Sequence, residues 1–479
     1  MGSVGLNFGS ATSGQGFDVT STVNQIVTNM QAVETPWKNQ LTALQSQDSA
    51  LSSLGAQLST LSSDLQALTD FNGTMAEKTG SSSNTDVLTL SSADASAVAG
   101  THTVVVQNLA QVSTASTDAV NANDTLSGGI TFKVGNGDWQ TVNVGEDSTA
   151  DTISGLQDAI NLANVGVTAS VLTNADGTAR LSLVSGTDGE AGQITIADST
   201  NDSSGPATLS DATNPDKNPN LGLATILNGL DATMLVDGGT VTSASNTVTN
   251  AIQGVTFQLL SGPNGSDSTP PSVQVVIAND TSSIESAIQS FVNDYNTTIQ
   301  AINAQEGKDS SGNPEPLYGS AVLAQIQEGL LSGMSASYGS NAINSLISLG
   351  ITASSAADGT LTLDTDTLSN ALNSNFNQVV SLFQDSGSFG STFTSTLNGL
   401  GNSSSDGGVI ALQLGEDSSQ ETTLNDDISN EQTLISTQQT NLTAELNTAN
   451  QILQSIPEQL SEVNEMYSAI TGYNQNQNG

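Results

Sequence analysis

Apolar residues recur every seven positions near both ends of the chain. One N-terminal seam runs Val23, Met30, Trp37, Leu44, Leu51, Leu58 and Leu65. A second, three residues on, runs Ile26, Val33, Gln40, Gln47, Leu54, Leu61 and Leu68. Two such seams draw an apolar stripe along one side of a helix, which a facing helix must cover. Thr35-Pro36 interrupts the run, and proline suits a first helical turn. The pattern therefore predicts a short helix, a break near residue 35 and a long helix to about residue 70. The C-terminus mirrors this with Ile428, Ile435, Leu442, Ala449, Ile456, Val463 and Ile470 on one seam. Asn425, Gln432, Gln439, Leu446, Leu453, Leu460 and Tyr467 form the other. Pro457 is predicted to kink or split that helix. Neither stripe can be buried by its own helix, so the two ends pair with each other or with neighbouring subunits. An ordinary intramolecular helical hairpin satisfies the same pattern.

From residue 79 to about 280 the period switches to two, which is the spacing of a half-buried strand. Strands are predicted at Val87 to Leu90, His102 to Val106, Ile130 to Val134, Val142 to Val144, Val167 to Leu172, Leu181 to Val184, Ile194 to Ile196, Val255 to Leu260 and Val273 to Ile277. Asn136-Gly137, Asp176-Gly177, Asp188-Gly189 and Asp237-Gly238 supply turn signals. A short helix over about 151–163 interrupts the strands. The stretch 201–220, with Pro206, Pro215 and Pro219, reads as a loop. Residues 1–20 are rich in Gly, Ser and Asn and are expected to be mobile in the isolated chain.

Helix returns at 281, where Ser282 and Glu285 have capping-box spacing. Ile284, Ile288, Phe291, Tyr295, Ile299 and Ile302 then share one face. Further helices are predicted across 318–335 and 365–383, with a hairpin about Asp358-Gly359. The fold class is α+β and multidomain, with N- and C-terminal helices forming coiled-coil legs and a helical domain, and β-rich domains inserted between them. The expected divisions are legs at 1–40 and 430–479, a helical domain at 41–78 and 280–429, one β domain at 79–120 and 232–279, and an inserted β domain at 121–231.

Charge narrows the function. The 479 residues carry 47 acidic and 6 basic side chains, a net charge of −41. Charged residues make up 11%, against roughly 25% in an average globular protein, so the acidity reflects missing bases. A chain without a basic cluster repels phosphate backbones and anionic lipid, which argues against nucleic-acid and membrane-surface partners. With no cysteine there is no disulfide, thiolate nucleophile or iron–sulfur cluster, and one histidine cannot build a multi-imidazole metal site. No basic, apolar leader opens the chain, Leu6 spoils a myristoylation motif, and no run of 18 apolar residues exists.

Enzyme signatures fail in turn. A Ser-His-Asp triad would need His102, which sits mid-strand and reads as a strand-surface ring. No G-x-S-x-G elbow occurs, and Gly307-Lys308 lacks the rest of a P-loop. Asp364 with Asp366, and Glu416 with Asp417, read as solvated turns rather than cation sites. No catalytic residue, cofactor or metal is expected, and the chain reads as an extracellular or assembly protein.

Several segments resemble a known family. Gly16 to Val23 (GFDVTSTV) and Ala32 to Pro36 (AVETP) resemble the opening of the bacterial flagellar filament cap family, also called hook-associated protein 2. Gly100 to Gln111 (GTHTVVVQNLAQ), Val248 to Leu260, Phe291 to Ile302 and Leu349 to Leu363 (LGITASSAADGTLTL) resemble later parts of that family in the same order. Thr152 to Ile196 is similar to the flagellin hook IN repeat.

The resemblance implies a homo-oligomeric ring at the filament tip, with helical legs reaching between flagellin subunits, that promotes folding and insertion of exported flagellin. It implies secretion through the flagellar type III apparatus without a cleaved signal. The implied partners are a second copy of the chain, flagellin, hook–filament junction proteins and an export chaperone at the C-terminal helix. Val23, Ile26, Val27 and Met30, with Val463, Met466, Tyr467 and Ile470, are expected to be exposed in the monomer and to engage the filament. Ring assembly is expected to strengthen with moderate salt, because the acidic subunits repel. A hook–filament junction protein, a flagellar adhesin binding surface glycans and a secreted polysaccharide-degrading enzyme are the alternatives.

Overall fold

A computed structural model describes residues 16–144, 152–197, 209–213, 221–263, 269–401 and 407–472. The expected mobility of residues 1–20 falls mostly on 1–15, outside the described residues, as does most of the 201–220 loop, and Val19 and Thr20 already belong to a helix. The described helices of four residues or more are α1 (Val19–Gln31), α2 (Thr35–Thr69), α3 (Ile153–Ala163), α4 (Thr281–Gln305), α5 (Ala321–Met334), α6 (Thr365–Gln384), α7 (Phe389–Leu400) and α8 (Val409–Thr471). The chain forms two compact units, Met1–Asp70 with Glu285–Gly479, and Phe71–Ile284. The long terminal helices are packed together, and the β-sheet domains lie between them in sequence.

The helical unit is organised by α2. Its predicted seam residues Leu44, Leu51, Leu54, Leu58, Leu61, Leu65 and Leu68 are buried, against α6, α7 and α8. Each fully buried leucine contributes about 2–3 kcal/mol of transfer free energy. The α4 face predicted from the sequence is buried from Ile284 to Ile302. Phe291 of α4 meets Phe389 and Phe393 of α7 edge-on, both at 6.0 Å between ring centroids. Phe389 and Phe393 stack at 5.3 Å, and Phe383 meets Phe389 at 5.8 Å. Helix α7 escapes periodicity because Ser, Thr and Gly fill the spaces between Phe389, Phe393, Leu397 and Leu400.

Three local expectations need correction. The cap of α4 is Asp280, not Ser282: its carboxylate accepts from the Ser283 amide at 3.1 Å and from the Ser282 and Ser283 hydroxyls at 2.8 Å each. Because α4 begins at Thr281, Ser282 already lies inside the first turn. Helix α8 is one unbroken helix with Pro457 inside it. A proline removes one hydrogen-bond donor there while the turns on either side keep theirs. Finally, α8 starts at Val409 and buries Ile410, Asp417, Leu424, Ile428 and Ile435, whereas Asn425 is exposed and Gln432 lies at the edge of the packed face.

The β unit holds two hydrophobic clusters. One joins Val104, Val106, Met234, Phe257, Val273 and Val275, among others, beneath a five-stranded antiparallel sheet. The sheet order is 78–82, 272–279, 100–108, 232–236 and 239–243. A three-stranded sheet (247–249, 255–259, 88–93) completes it. The second cluster gathers Phe132, Leu156, Ile160, Leu181, Leu183 and Ile194, with α3 packed on the strands 140–143, 167–173 and 178–185. All nine predicted strands are present. Strands such as 78–82 (KTGSS) and 114–117 (TAST) escaped detection because Ser, Thr and Gly give no apolar alternation. Ser210–Asp211, inside the predicted loop, pairs with Leu126–Ser127. Asp237 and Gly238 take φ of 50° and 86°, as a tight hairpin between 232–236 and 239–243 requires.

Candidate interaction surface at the chain ends

Helix α1 begins at Asp18, whose carboxylate accepts the Ser21 amide at 3.0 Å and caps the first turn. Val19, Val23 and Val27 recur every four residues and form one apolar face. That face packs on Ile435 of α8, with Phe17, Met30, Leu442 and Leu446 around it. Two clamps fix the register. The Phe17 amide donates to Asn450 Oδ1 at 2.9 Å, and Gln432 Nε2 donates to Glu34 Oε2 at 3.4 Å. Phe17 meeting Asn450 while Glu34 meets Gln432 sets α1 antiparallel to α8.

Glu34 lies in the turn Ala32–Glu34 that joins α1 to α2. It is buried, and Lys38 Nζ lies 2.5 Å from Oε2. The Lys38 ammonium, followed by Gln432, holds the Glu34 carboxyl below the usual carboxylate range, against the opposing effect of burial. The predicted break at Thr35-Pro36 is therefore a turn fastened to α8. Sequence reasoning missed Glu34, Phe17 and Asn450. The available signal was a lone acid–base pair, four residues apart, where bases are scarce.

The structure separates the eight predicted residues. Val23 is 3% exposed and Val27 is 8% exposed, while Ile26 and Met30 are half-buried. The expectation that these four stand free in the monomer is corrected, because α8 of the same chain already covers the valine face. Val463, Met466, Tyr467 and Ile470 are exposed at 56%, 60%, 52% and 81%. Ile452 and Leu460 are exposed with them. Leu460, Val463, Tyr467 and Ile470 have a, d spacing and form one stripe.

In the β unit, His102 Nδ1 lies 2.7 Å from Asp237 Oδ2, and the Thr103 amide donates to Asp237 Oδ1 at 2.8 Å. The bond to His102, then that to Thr103, holds the Asp237 carboxyl below its usual range. His102 thus pins a hairpin turn to its neighbouring strand. Lys133 lies 5.1 Å from the Trp139 ring centroid, beside an open hollow lined by Asn136, Glu190, Gln193 and Asp231. Among the described residues no group of three or more His, Cys, Asp or Glu could hold a metal ion, and no helix is long and apolar enough to cross a membrane.

Long terminal helices packed on one another, with β-sheet domains between them in sequence, define an α+β multidomain protein. Residues 15–113 match the N-terminal model of flagellar hook-associated protein 2, and residues 229–474 match the C-terminal model. The chain belongs to this family, the non-enzymatic structural proteins of the flagellar filament cap. It is 28% identical over 326 residues to the B-type flagellar hook-associated protein 2 of Pseudomonas aeruginosa, covering 65% of this chain and 67% of that one. It is 27% identical over 409 residues to flagellar hook-associated protein 2 of Escherichia coli, covering 81% and 84%. The crystal structure of domains D1–D2–D3 of the Escherichia coli flagellar cap protein FliD matches with a TM-score of 0.56 at 25% identity, covering 77% of this chain and 99% of that chain. Residues 114–228, which include the hook IN-like stretch, lie between the two family matches.

Proposed function

We propose that this cap protein works as a homo-oligomeric ring at the distal end of the flagellar filament, where it promotes folding and insertion of exported flagellin. The observation that carries this reading is the stripe Leu460, Val463, Tyr467 and Ile470, with Met466 beside it, exposed at the end of α8. A contiguous apolar stripe left in water is unfavourable and marks an interaction surface. Its occupants in turn are an export chaperone, the hook–filament junction proteins, flagellin and a second copy of the chain. Val23, Ile26, Val27 and Met30 contribute only where α1 separates from α8. No other base follows Lys308, so subunit contacts near α8 rest on apolar surface against mutual repulsion. Moderate salt therefore strengthens the ring.

The test is gene deletion with electron microscopy of cells and analysis of the medium. The expected result is loss of filaments with monomeric flagellin in the medium, restored by the wild-type gene. Normal filaments in the deletion strain refute the proposal. The hollow beside Lys133 and Trp139 favours a second, additional role in glycan adhesion, because an indole flanked by amide and carboxylate groups suits a sugar ring. Glycan binding lost on Trp139→Ala supports it.

A further inference from the structure

Helix α2 brings carboxyl groups face to face with other carboxyls at two places inside the helical unit. With Leu44, Leu51, Leu58 and Leu65 at heptad position a, Asp48 falls at e and Asp64 at g. Those positions ordinarily pair opposite charges across a coiled coil. Here Asp48 meets Asp417 and Glu421 of α8, and Asp64 meets Asp294 of α4. Asp417 is 2% exposed, and Gln413 donates to its Oδ1 at 2.8 Å. Asp417 Oδ2, Asp48 Oδ1, Glu421 Oε1 and Asp64 Oδ2 are all buried without a protein hydrogen-bond partner.

Among the described residues no base is available on the helices packed at either site, and α5, which also packs on α8, carries only Glu328 as an ionisable residue. Lys38 of α2 is engaged by Glu34, α4 and α8 contain no Lys or Arg, and α7 contains no ionisable residue. The acid of α6, Asp366, sits at the opposite end of that helix from Gln384, which bonds to the Leu68 carbonyl of α2. Ionised carboxylates facing one another without a donor are strongly disfavoured, and two that meet hold one proton between them.

We propose that the Asp48–Asp417 and Asp64–Asp294 pairs each bind one shared proton, so that α2 grips α8 and α4 more tightly on mild acidification and loosens on alkalinisation. The proton supplies the donor that the protein does not. Burial first, then the facing carboxylates, push Asp48 and Asp64 up to about 6. An ordinary aspartate titrates near ~3.9. Between about pH 6 and about pH 4 the folded chain therefore binds more protons than the unfolded chain. Its stability rises as pH falls through that window, levels off below it, and lacks this contribution above it.

The test is thermal unfolding of the full chain, followed by helix circular dichroism between pH 7.5 and 5.0. The wild-type midpoint is expected to rise by several degrees on acidification. The Asp48→Asn, Asp64→Asn double variant should melt higher than wild type at pH 7.5 and lose most of that rise. An Asp426→Asn, Asp427→Asn control removes two exposed charges from α8 and should keep it. A full rise in the first variant, or an equally flattened response in the control, overturns the proposal. Should the double variant fail to fold, carbon-13 titration of the wild-type aspartates decides. Two carboxyls titrating near 6 support shared protons, and none above 5 refutes them. Calcium that stabilises wild type at pH 7.5 but not the Asp48→Asn, Asp64→Asn chain also overturns the proposal, in favour of a cation site.

Discussion

Residues 410–435 and 452–470 of α8 carry the same kind of apolar period and meet opposite fates. In the first stretch Ile410, Leu424, Ile428 and Ile435 are buried by helices of the same chain. In the second, Ile452, Leu460, Val463 and Ile470 remain in water. A heptad states that a stripe needs a cover, and says nothing of whose. Among the described residues, α1 docking reaches Asn450 through Phe17, and burial fades beyond it, with Leu453 and Ile456 half-buried and Leu460 onward exposed. The exposed end is where the proposed partner would bind, and the buried stretch 410–435 is core.

Core substitutions should break this contrast most strongly. Leu61 is fully buried in α2, so Leu61→Ala is expected to destabilise the helical unit by about 2–5 kcal/mol in chemical denaturation. Asn296 comes next. Its side chain donates to the Leu361 carbonyl at 2.9 Å and accepts the Leu361 amide at 2.7 Å, tying α4 to the hairpin 351–363. Asn296→Ala leaves both backbone groups without that partner and should cost about 1–3 kcal/mol.

Capping effects are smaller. Asp280→Ala removes the α4 cap and should cost about 1 kcal/mol near neutral pH. The hydroxyls of Ser282 and Ser283, then the Ser283 amide, lower the Asp280 carboxyl. Its contribution is therefore present above the unfolded aspartate value near ~4 and is lost as pH falls through the lower folded value. The variant and wild type should converge in stability in strong acid, the opposite sense from Asp48 and Asp64. Tyr295→Phe should raise stability by about 1 kcal/mol, because the buried Tyr295 hydroxyl has no hydrogen-bond partner. Val463→Ala should change monomer stability by less than about 0.5 kcal/mol. A loss comparable to that of Leu61→Ala would erase the distinction between the two stretches of α8.

The parts legible in the sequence were those carried by apolar period. The Leu44 to Leu68 seam, the α4 face and the Val-rich strands all declared themselves. Helix α7 and the strands 78–82 and 114–117 did not, because Ser and Thr serve equally as strand, helix and loop surface. The exposure of the end of α8 was also legible, in Val463, Met466, Tyr467 and Ile470. The burial of Val23 and Val27 was not legible, because the same spacing of Val19, Val23 and Val27 suits an internal partner and an external one. Only the antiparallel register, set by Asn450 and Glu34 across more than 400 and nearly 400 residues of chain, tells them apart. No local pattern encodes a pairing at that separation.

Hydrogen exchange on the isolated chain and on its assembled form tests the central claim most directly. The account predicts that 410–435 is protected in both states. It predicts that 452–470 exchanges rapidly in the monomer and becomes protected on assembly. Strong protection of 452–470 in the monomer, or unchanged rapid exchange there after assembly, would contradict it.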